Sequence, residues 1–202
     1  MLKKIIGFFS KTPVQKAIAL ENKVVAHNYH PLPVLLTKGE GVYLWDADGK
    51  RYLDMMSAYS AVSLGHSHPR VVKKLVEQAQ TLAMTSRAYH STLLGPFLEK
   101  LCAMSGLDMA LPMNTGAEAV ETAVKAARLW GYTVKKIPED QAEIIVADGN
   151  FHGRTTTIIS FSTEAGYRKN FGPFTPGFTA VPFDDIAAIE AAITPHTAAI
   201  LI

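Results

Sequence analysis

The chain has 202 residues, of which 48% are hydrophobic and 19% are charged, and its formal net charge is +2. That length suits one ordinary domain, alone or with an appended arm, and the hydrophobic share argues against disorder. The small net charge, without a basic stripe that contains aromatic residues, argues against binding of nucleic acid. The single cysteine, Cys102, cannot form an internal disulfide. It therefore predicts a reducing, cytoplasmic compartment and a buried structural thiol.

The amino-terminal stretch 1–16 is basic and apolar and contains no acidic residue. Its apolar core at 5–9 is too short for a signal peptide or a membrane span, so no membrane partner is predicted. A weak targeting or docking segment stays open, although a plain arm is favoured. We divide the chain into an arm with a small sheet at 1–55 and a second segment at 56–202.

Residues 34–53 alternate short apolar runs with turn sequences, which is typical of a small antiparallel meander. Turns at 39–41 and 46–49 separate the runs. Asp46 and Asp48 lie in the second turn, and because the rest of a calcium-binding loop is absent, we predict a solvent turn and no metal site. The predicted strands are Val34–Leu36, Val42–Trp45 and Arg51–Leu53.

Apolar residues at helical spacing predict the next elements. The predicted helices are Pro69–Ala83, Leu94–Met104 and Gly116–Trp130. Gly131 is expected to end the third helix, and a short apolar run, Leu111–Met113, precedes it.

Three apolar runs nearer the carboxyl end predict buried strands: Glu143–Ala147, Thr179–Pro182 and Ala198–Ile202. Asp184 is expected to cap a helix that runs to Ala192. Strands that alternate with helices imply parallel pairing with right-handed crossovers, so the predicted fold class is α/β. Because no loop follows the last strand, we expect the sequence to be part of a longer domain.

The stretch Asn114–Glu121 at the start of the third helix has the pattern of an anion site. Thr115 and Glu118 form a capping-box signature, and Gly116 has no side chain where a phosphate would approach the backbone. Free N–H groups and the helix dipole then favour a phosphate. Capping boxes also begin many helices that bind no ligand, so this stretch alone is a weak indication.

Two further side chains of interest follow the strand at 143–147. Phe151 can present its ring to a planar heterocycle, and Arg154 can bind a carboxylate or phosphate through two hydrogen bonds. The alternative is a turn with a core aromatic and a surface ion pair. His152 has no visible partner, so a packing or hydrogen-bonding role is favoured over a general base.

Together these residues resemble the amino-terminal half of the class III pyridoxal-phosphate aminotransferases, and within them the ornithine aminotransferases. NTGAEA at 114–119 and FHGR at 151–154 occur across the class, whereas NYHPLP at 28–33 and SAYSAV at 57–62 point to the ornithine enzymes. The matching segments are AHNYHPLPV (26–34), GVYLWDADGKRYLD (41–54), SAYSAVSLGHSHP (57–69), TSRAYH (85–90), LPMNTGAEAVETAVKAARLWGYTVK (111–135), GNFHGRT (149–155) and FGPFTPGF (171–178).

The resemblance implies the type I fold of pyridoxal-phosphate (PLP) transferases, with 56–202 as a partial PLP-binding large domain that is truncated at its carboxyl end. On composition alone, the two tyrosines in the matched segments would be ordinary amphipathic anchors. His152 departs from the animal ornithine enzymes, which have tryptophan there. The resemblance assigns the cofactor residues Gly116, Ala117 and Phe151 and the substrate residues Tyr29, Tyr59 and Arg154.

The implied reaction moves the δ-amino group of L-ornithine to 2-oxoglutarate and gives glutamate 5-semialdehyde and glutamate. The family's Schiff-base lysine and pyridinium aspartate match no position up to Ile202, so both are expected beyond it and no catalytic residue is assigned. The resemblance also implies a homodimer with the active site at the subunit interface and with elements near Thr85–His90 facing the partner. Two alternatives stay open: a non-catalytic fragment or dimerisation unit, and a class III enzyme for N-acetylornithine or 4-aminobutyrate.

Overall fold

The computed structural model describes residues 11–202 of the chain. Contacts between residues divide the chain into two units, Met1–Ser91 and Thr92–Ile202. The start of the predicted arm, residues 1–10, lies outside the described residues. The predicted boundary between residues 55 and 56 stays a prediction.

The first unit has helix α1 (Pro13–Val24) near its beginning, and a capping box starts this helix. Thr12 Oγ1 accepts a hydrogen bond from the Gln15 backbone N–H at 3.2 Å, and Gln15 Oε1 accepts one from the Thr12 N–H at 3.0 Å. The two bonds satisfy backbone donors at the helix start, where no intrahelical acceptor exists.

The predicted meander is confirmed as a three-stranded antiparallel sheet in the order β1-β2-β3. Its strands are β1 (Leu36–Glu40), β2 (Tyr43–Asp46) and β3 (Arg51–Leu53). The first strand differs from the prediction because it begins at Leu36 and continues to Glu40. Since Glu40 pairs with Tyr43, Gly41 and Val42 alone make the reversal.

Asp46 closes the turn between β2 and β3. Its Oδ1 accepts hydrogen bonds from the backbone N–H groups of Asp48 at 3.0 Å and Lys50 at 2.8 Å, and its Oδ2 accepts one from the Tyr52 hydroxyl at 2.7 Å. The tyrosine hydroxyl contributes most to lowering the pKa of Asp46. The predicted turn is therefore confirmed, and its aspartate fixes the turn backbone.

Elements α2 (Ser57–Ser60) and α3 (Pro69–Thr81) complete the first unit. All four residues of α2 have positive φ, from 45° at Ala58 to 71° at Ser60, so this element is a left-handed turn. Helix α3 begins at Pro69 as predicted and ends before Ala83, because Leu82 is extended with φ −159° and ψ 97°.

The second unit contains helices α4 (Leu94–Ser105), α5 (Gly116–Thr133), α6 (Thr156–Ser160), α7 (Ala165–Arg168) and α8 (Ile186–Ala192). Cys102 lies in α4 and is half-buried, so the prediction of a buried thiol was wrong. The apolar run Leu111–Met113 forms neither a helix nor a strand. Among residues 11–202, the helices include none that could form a membrane span.

Two predicted helix boundaries in the second unit were wrong. Helix α5 does not end at Gly131: a Cβ there would lie 3.1 Å from both Ala198 Cβ and Ile137 Cδ1, so the glycine permits close packing instead. Helix α8 is capped by Asp185, whose Oδ1 accepts a hydrogen bond from the Ala188 N–H at 2.9 Å. Asp184 has a φ of 61° and precedes the cap.

Strands β4 (Glu143–Ala147), β5 (Phe178–Val181) and β6 (Thr197–Leu201) form a parallel sheet in the order β5-β4-β6. The central strand carries the core, and burial of each of its large aliphatic side chains contributes about 1.5–3 kcal/mol. The predicted α/β class is confirmed. The buried core cluster consists of Val124, Ile144, Val146, Ile158 and Phe161.

Candidate functional site

A fixed loop, 148–155, follows the carboxyl end of β4, where parallel sheets place their ligands. The Asp148 N–H donates to the Val181 carbonyl at 2.7 Å, and the Gly149 N–H donates to Thr163 Oγ1 at 2.8 Å. Asn150 Nδ2 donates to the Ala147 carbonyl at 2.7 Å and to the Phe161 carbonyl at 3.1 Å. These bonds attach the loop to the sheet and to the chain that follows α6.

The loop packs directly against the start of α5. Gly153 has a φ of 130°, and a Cβ at this position would lie 3.0 Å from both Ala117 Cβ and Ile158 Cδ1. A residue with a side chain would be strained by this φ and crowded by both neighbours. The glycine therefore allows the loop to contact the helix start.

A hydrogen bond between side chains ties the same loop to the second turn of α5. Thr155 Oγ1 donates to Glu121 Oε1 and accepts from the Ile158 N–H at 3.2 Å, which makes Thr155 the cap of α6. Sequence reasoning missed this pair, because the two residues are far apart along the chain.

The start of α5 has the predicted capping box. Thr115 Oγ1 accepts from the Glu118 N–H at 3.1 Å, while Glu118 Oε2 accepts from the N–H groups of Thr115 at 3.0 Å and Asn114 at 2.8 Å. Among the described residues, the N–H groups of Gly116 and Ala117 have no hydrogen-bond acceptor. A Cβ added to Gly116 would meet no atom within 4 Å. The helix start therefore offers two backbone donors and the room that an anion needs.

The side chains of Phe151 and Arg154 lie near each other. The Arg154 guanidinium carbon is 5.8 Å from the centre of the Phe151 ring, and Phe151 is 57% exposed. Tyr167 on α7 packs against the same ring, with ring centres 5.8 Å apart and planes inclined by 59°. Sequence reasoning missed Tyr167, since nothing local in a short polar stretch marks a tyrosine as the neighbour of a distant phenylalanine.

A cleft of about 270 Å³ lies between this loop and α7, lined by Phe151, Tyr167 and Glu164 together with Gly149, Asn150 and Thr163. An aromatic face and a cleft at the carboxyl edge of a parallel sheet are the features that a planar heterocycle needs.

His152 packs against the core of the second unit. Its ring packs against Phe161, with ring centres 5.9 Å apart, and its Nε2 is buried without a partner among the described residues. Burial lowers the pKa of His152. The predicted packing role is confirmed.

The remaining predicted site residues, Tyr29 and Tyr59, belong to the first unit. Tyr29 lies outside the helices and strands and is 55% exposed, and Tyr59 lies in the left-handed turn α2 and is 83% exposed. The second unit holds Gly116, Ala117, Phe151 and Arg154 and brings the helix start and the loop into contact.

Two lysines near the end of α5 take part in structural contacts. Lys135 Nζ donates to the Thr197 carbonyl at 2.7 Å, and Lys136 Nζ donates to the Thr133 carbonyl at 2.7 Å. In residues 11–202 no three His, Cys, Asp or Glu side chains are grouped so that they could hold a metal ion.

Known proteins resemble this chain in sequence and in fold. The family described as Aminotransferase class-III matches residues 24–202. The chain is 58% identical over 193 residues to the ornithine aminotransferase of Brevibacillus brevis, with 96% of this chain and 48% of the relative covered. Thus the chain spans about half the length of the curated relatives it matches.

Solved structures with related folds include two aminotransferases. The ornithine aminotransferase of Toxoplasma gondii superimposes with a TM-score of 0.92 at 43% identity, covering 94% of this chain and 45% of the other. The acetylornithine aminotransferase of Elizabethkingia anophelis has a TM-score of 0.79 at 54% identity, covering 94% and 46%. The sequence match and the shared fold together establish that the chain belongs to the class III aminotransferase family.

Proposed function

We propose that this chain is the cofactor-phosphate and substrate-carboxylate part of an ornithine aminotransferase. That enzyme moves the δ-amino group of L-ornithine to 2-oxoglutarate and gives glutamate 5-semialdehyde and glutamate. The observation that carries the proposal is the packing of Gly153 on Ala117, because it joins the helix-start donors to the loop that bears Phe151 and Arg154.

PLP fits the residues at this edge of the sheet. The N–H groups of Gly116 and Ala117 would hold its phosphate, whose charge the helix dipole favours. The exposed face of Phe151 would pack on its pyridine ring. When bound, PLP supplies the electron sink that transamination requires. The Toxoplasma gondii ornithine aminotransferase holds PLP in its active site at partial occupancy.

The substrate residues follow the same assignment. Arg154 would bind a substrate carboxylate through paired N–H donors, a geometry that lysine cannot reproduce. Tyr29 and Tyr59 would shape the amino-donor pocket, where a phenol can accept or donate a hydrogen bond at the α-amino group. The 58% identity to an ornithine aminotransferase supports ornithine as the donor.

N-acetylornithine is the second candidate donor, because the acetylornithine aminotransferase of Elizabethkingia anophelis is 54% identical to the chain. The two donors differ at the α-nitrogen, which is a charged amine in ornithine and a neutral amide in N-acetylornithine. The identity of the donor therefore depends on the groups that face this nitrogen.

Steady-state kinetics of the full-length gene product would test the proposal. We expect kcat/KM for ornithine to exceed that for N-acetylornithine and 4-aminobutyrate by at least about 100-fold, the discrimination that unpaired polar groups provide. Equal or reversed preference would contradict ornithine as the donor. An internal aldimine band that forms when the 202-residue polypeptide is incubated with PLP, and that survives gel filtration, would contradict the alternative of a non-catalytic fragment.

We also infer a homodimer with the active site at the subunit interface, and a cytoplasmic location. The family resemblance supports the dimer, and the single cysteine supports a reducing compartment. Light scattering of the full-length protein should give twice the mass of one chain, and a monomer would contradict the inference.

A further inference from the structure

Tyr59 lies in a backbone conformation that its own sequence does not favour. All four residues of α2, including Tyr59, have φ values between 45° and 71°, and none of them is glycine. Side chains with a Cβ rarely adopt this left-handed region, and they keep it only where surrounding contacts determine it. The contacts that fix α2 therefore decide where Tyr59 is held.

Asp54 provides these contacts from the end of β3. Its Oδ1 accepts hydrogen bonds from the N–H groups of Met56 and Ser57, both at 3.0 Å, at the entry to α2. Its Oδ2 accepts a hydrogen bond from His66 Nε2 at 2.7 Å. The side chain of Asp54 is only 9% exposed. A single half-buried carboxylate thus joins the entry of the turn to a residue that follows the turn.

His66 is in turn fixed to the β1–β2 hairpin. The Gly41 N–H donates to the His66 carbonyl at 3.0 Å, and the His66 N–H donates to the Gly41 carbonyl at 2.8 Å. A Cβ on Gly39 would lie 2.8 Å from His66 Cβ and Cγ, so the imidazole rests directly on the glycine backbone. The hairpin therefore fixes the position of His66, and His66 fixes the Asp54 carboxylate through its hydrogen bond.

We propose that Asp54 and His66 are positioning residues that keep the Tyr59 turn in the backbone conformation from which Tyr59 binds the amino donor. The proposal rests on the proposed function, since that function assigns Tyr59 to the donor pocket. Its structural part, that the pair fixes the turn, depends only on contacts within the first unit.

Asp54→Asn is the most direct test of this role. The asparagine amide keeps the shape of the carboxylate, but one oxygen becomes an NH₂ group, which cannot accept a hydrogen bond. If Oδ1 still accepts from the turn amides, the NH₂ group faces His66 Nε2, and that bond survives only with the imidazole proton moved to Nδ1 and without the carboxylate charge. Asp48→Asn is the matched control, because Asp48 is an exposed acid in the same sheet unit.

The experiment uses the full-length enzyme and two readouts. Hydrogen exchange of the segment 56–62 reports whether the turn is held, and we expect faster exchange in Asp54→Asn and no change in Asp48→Asn. Kinetics with ornithine and with 5-aminopentanoate, which is ornithine without its α-amino group, report whether the variant binds the α-amino group of the donor less well. We expect Asp54→Asn to raise KM for ornithine about tenfold, as loss of one hydrogen bond would, with little change for 5-aminopentanoate.

Variants at His66 keep the test decisive if Asp54→Asn folds poorly. His66→Gln retains an N–H donor toward Asp54, so hydrogen exchange of the segment 56–62 should stay slow. His66→Leu removes the donor, so exchange of the same segment should become faster. Equal exchange in the two His66 variants would overturn the role of this pair.

Tyr59→Phe separates the inference from the proposed function. If Tyr59→Phe raises KM for ornithine and Asp54→Asn behaves like its control, the positioning role is overturned while the proposed function stands. If the wild-type enzyme does not use ornithine, the proposed function fails, and unchanged exchange in Asp54→Asn would still overturn the structural part.

Discussion

Gly153 packs against Ala117 so closely that a Cβ on the glycine would lie 3.0 Å from the alanine Cβ. The contact joins two segments that are distant in sequence, the start of α5 and the loop after β4. The backbone donors of Gly116 and Ala117 and the side chains of Phe151 and Arg154 are thereby carried on one packed structure. A ligand with an anionic group and a planar ring can therefore contact the backbone donors and the loop side chains at the same time, at a fixed separation.

The first prediction concerns this contact. Gly153→Ala should destabilise the full-length protein by about 1–3 kcal/mol, because its φ of 130° strains a residue with a Cβ and because the methyl group crowds Ala117. The affinity for PLP should fall together with the stability. Thermal unfolding and a PLP titration followed by absorbance would measure both effects. Gly95→Ala is the control, since Gly95 lies within α4 and an added Cβ there meets no atom within 4 Å. Equal stability and affinity in both variants would contradict the packing argument.

The sequence predicts those parts of this arrangement that have a local residue pattern. The buried strand Glu143–Ala147 was predicted with its observed bounds, because a short apolar run is a strong local pattern. The capping box of Thr115 and Glu118 was predicted for the same reason. Gly131 was assigned as a helix end on residue type, and the contact with Ala198 that keeps it inside α5 is visible only in the fold.

The parts of the site that sequence reasoning missed are all long-range contacts. Thr155 meets Glu121 through the packing of α6 on α5, and Tyr167 meets Phe151 through the placement of α7. No spacing along the chain predicts either pair, since neither falls within one helix or between neighbouring strands.

Tyr167 gives the second prediction. Its ring packs on Phe151 and limits the orientations open to the ring that would stack on the cofactor. Tyr167→Ala should remove an aromatic contact of about 0.5–1.5 kcal/mol and weaken PLP binding up to about tenfold, whereas Tyr167→Phe should retain the affinity. Equilibrium titration with PLP would compare them. A loss in Tyr167→Phe as large as in Tyr167→Ala would assign the effect to the hydroxyl and contradict the aromatic contact.

Arg154 gives the third prediction. Arg154→Lys keeps the charge but loses the paired N–H donors, so kcat/KM for 2-oxoglutarate should fall about 10- to 100-fold, equivalent to about 1.5–3 kcal/mol for a hydrogen bond to a charged group. PLP affinity should change little. Arg70→Lys, at an exposed position in α3, is the control. A variant with unchanged kinetics would remove Arg154 from the substrate site.

The last prediction concerns pH. Hydrogen bonds from His66, which contribute most, and from the Ser57 and Met56 N–H groups lower the pKa of Asp54 below its ordinary value of 3.8. In the unfolded chain these bonds are absent, so the carboxyl binds its proton at higher pH there than in the folded protein. Asp54 therefore stabilises the folded state fully above its ordinary pKa, and this contribution disappears as pH falls through the lowered, folded-state pKa.

Asp54→Asn has no such titration, so the stability advantage of the wild type over the variant that comes from the carboxylate should be present above about pH 4 and shrink below it. Chemical denaturation of the full-length protein at several pH values between about pH 7 and pH 3 would measure it. The Asp48 side chain accepts none of these hydrogen bonds from the turn. The unfolding free energy of Asp48→Asn should therefore differ little from that of wild type at every pH. If the difference in unfolding free energy between wild type and Asp54→Asn stays the same down to the lowest pH, the carboxylate charge does not stabilise the turn.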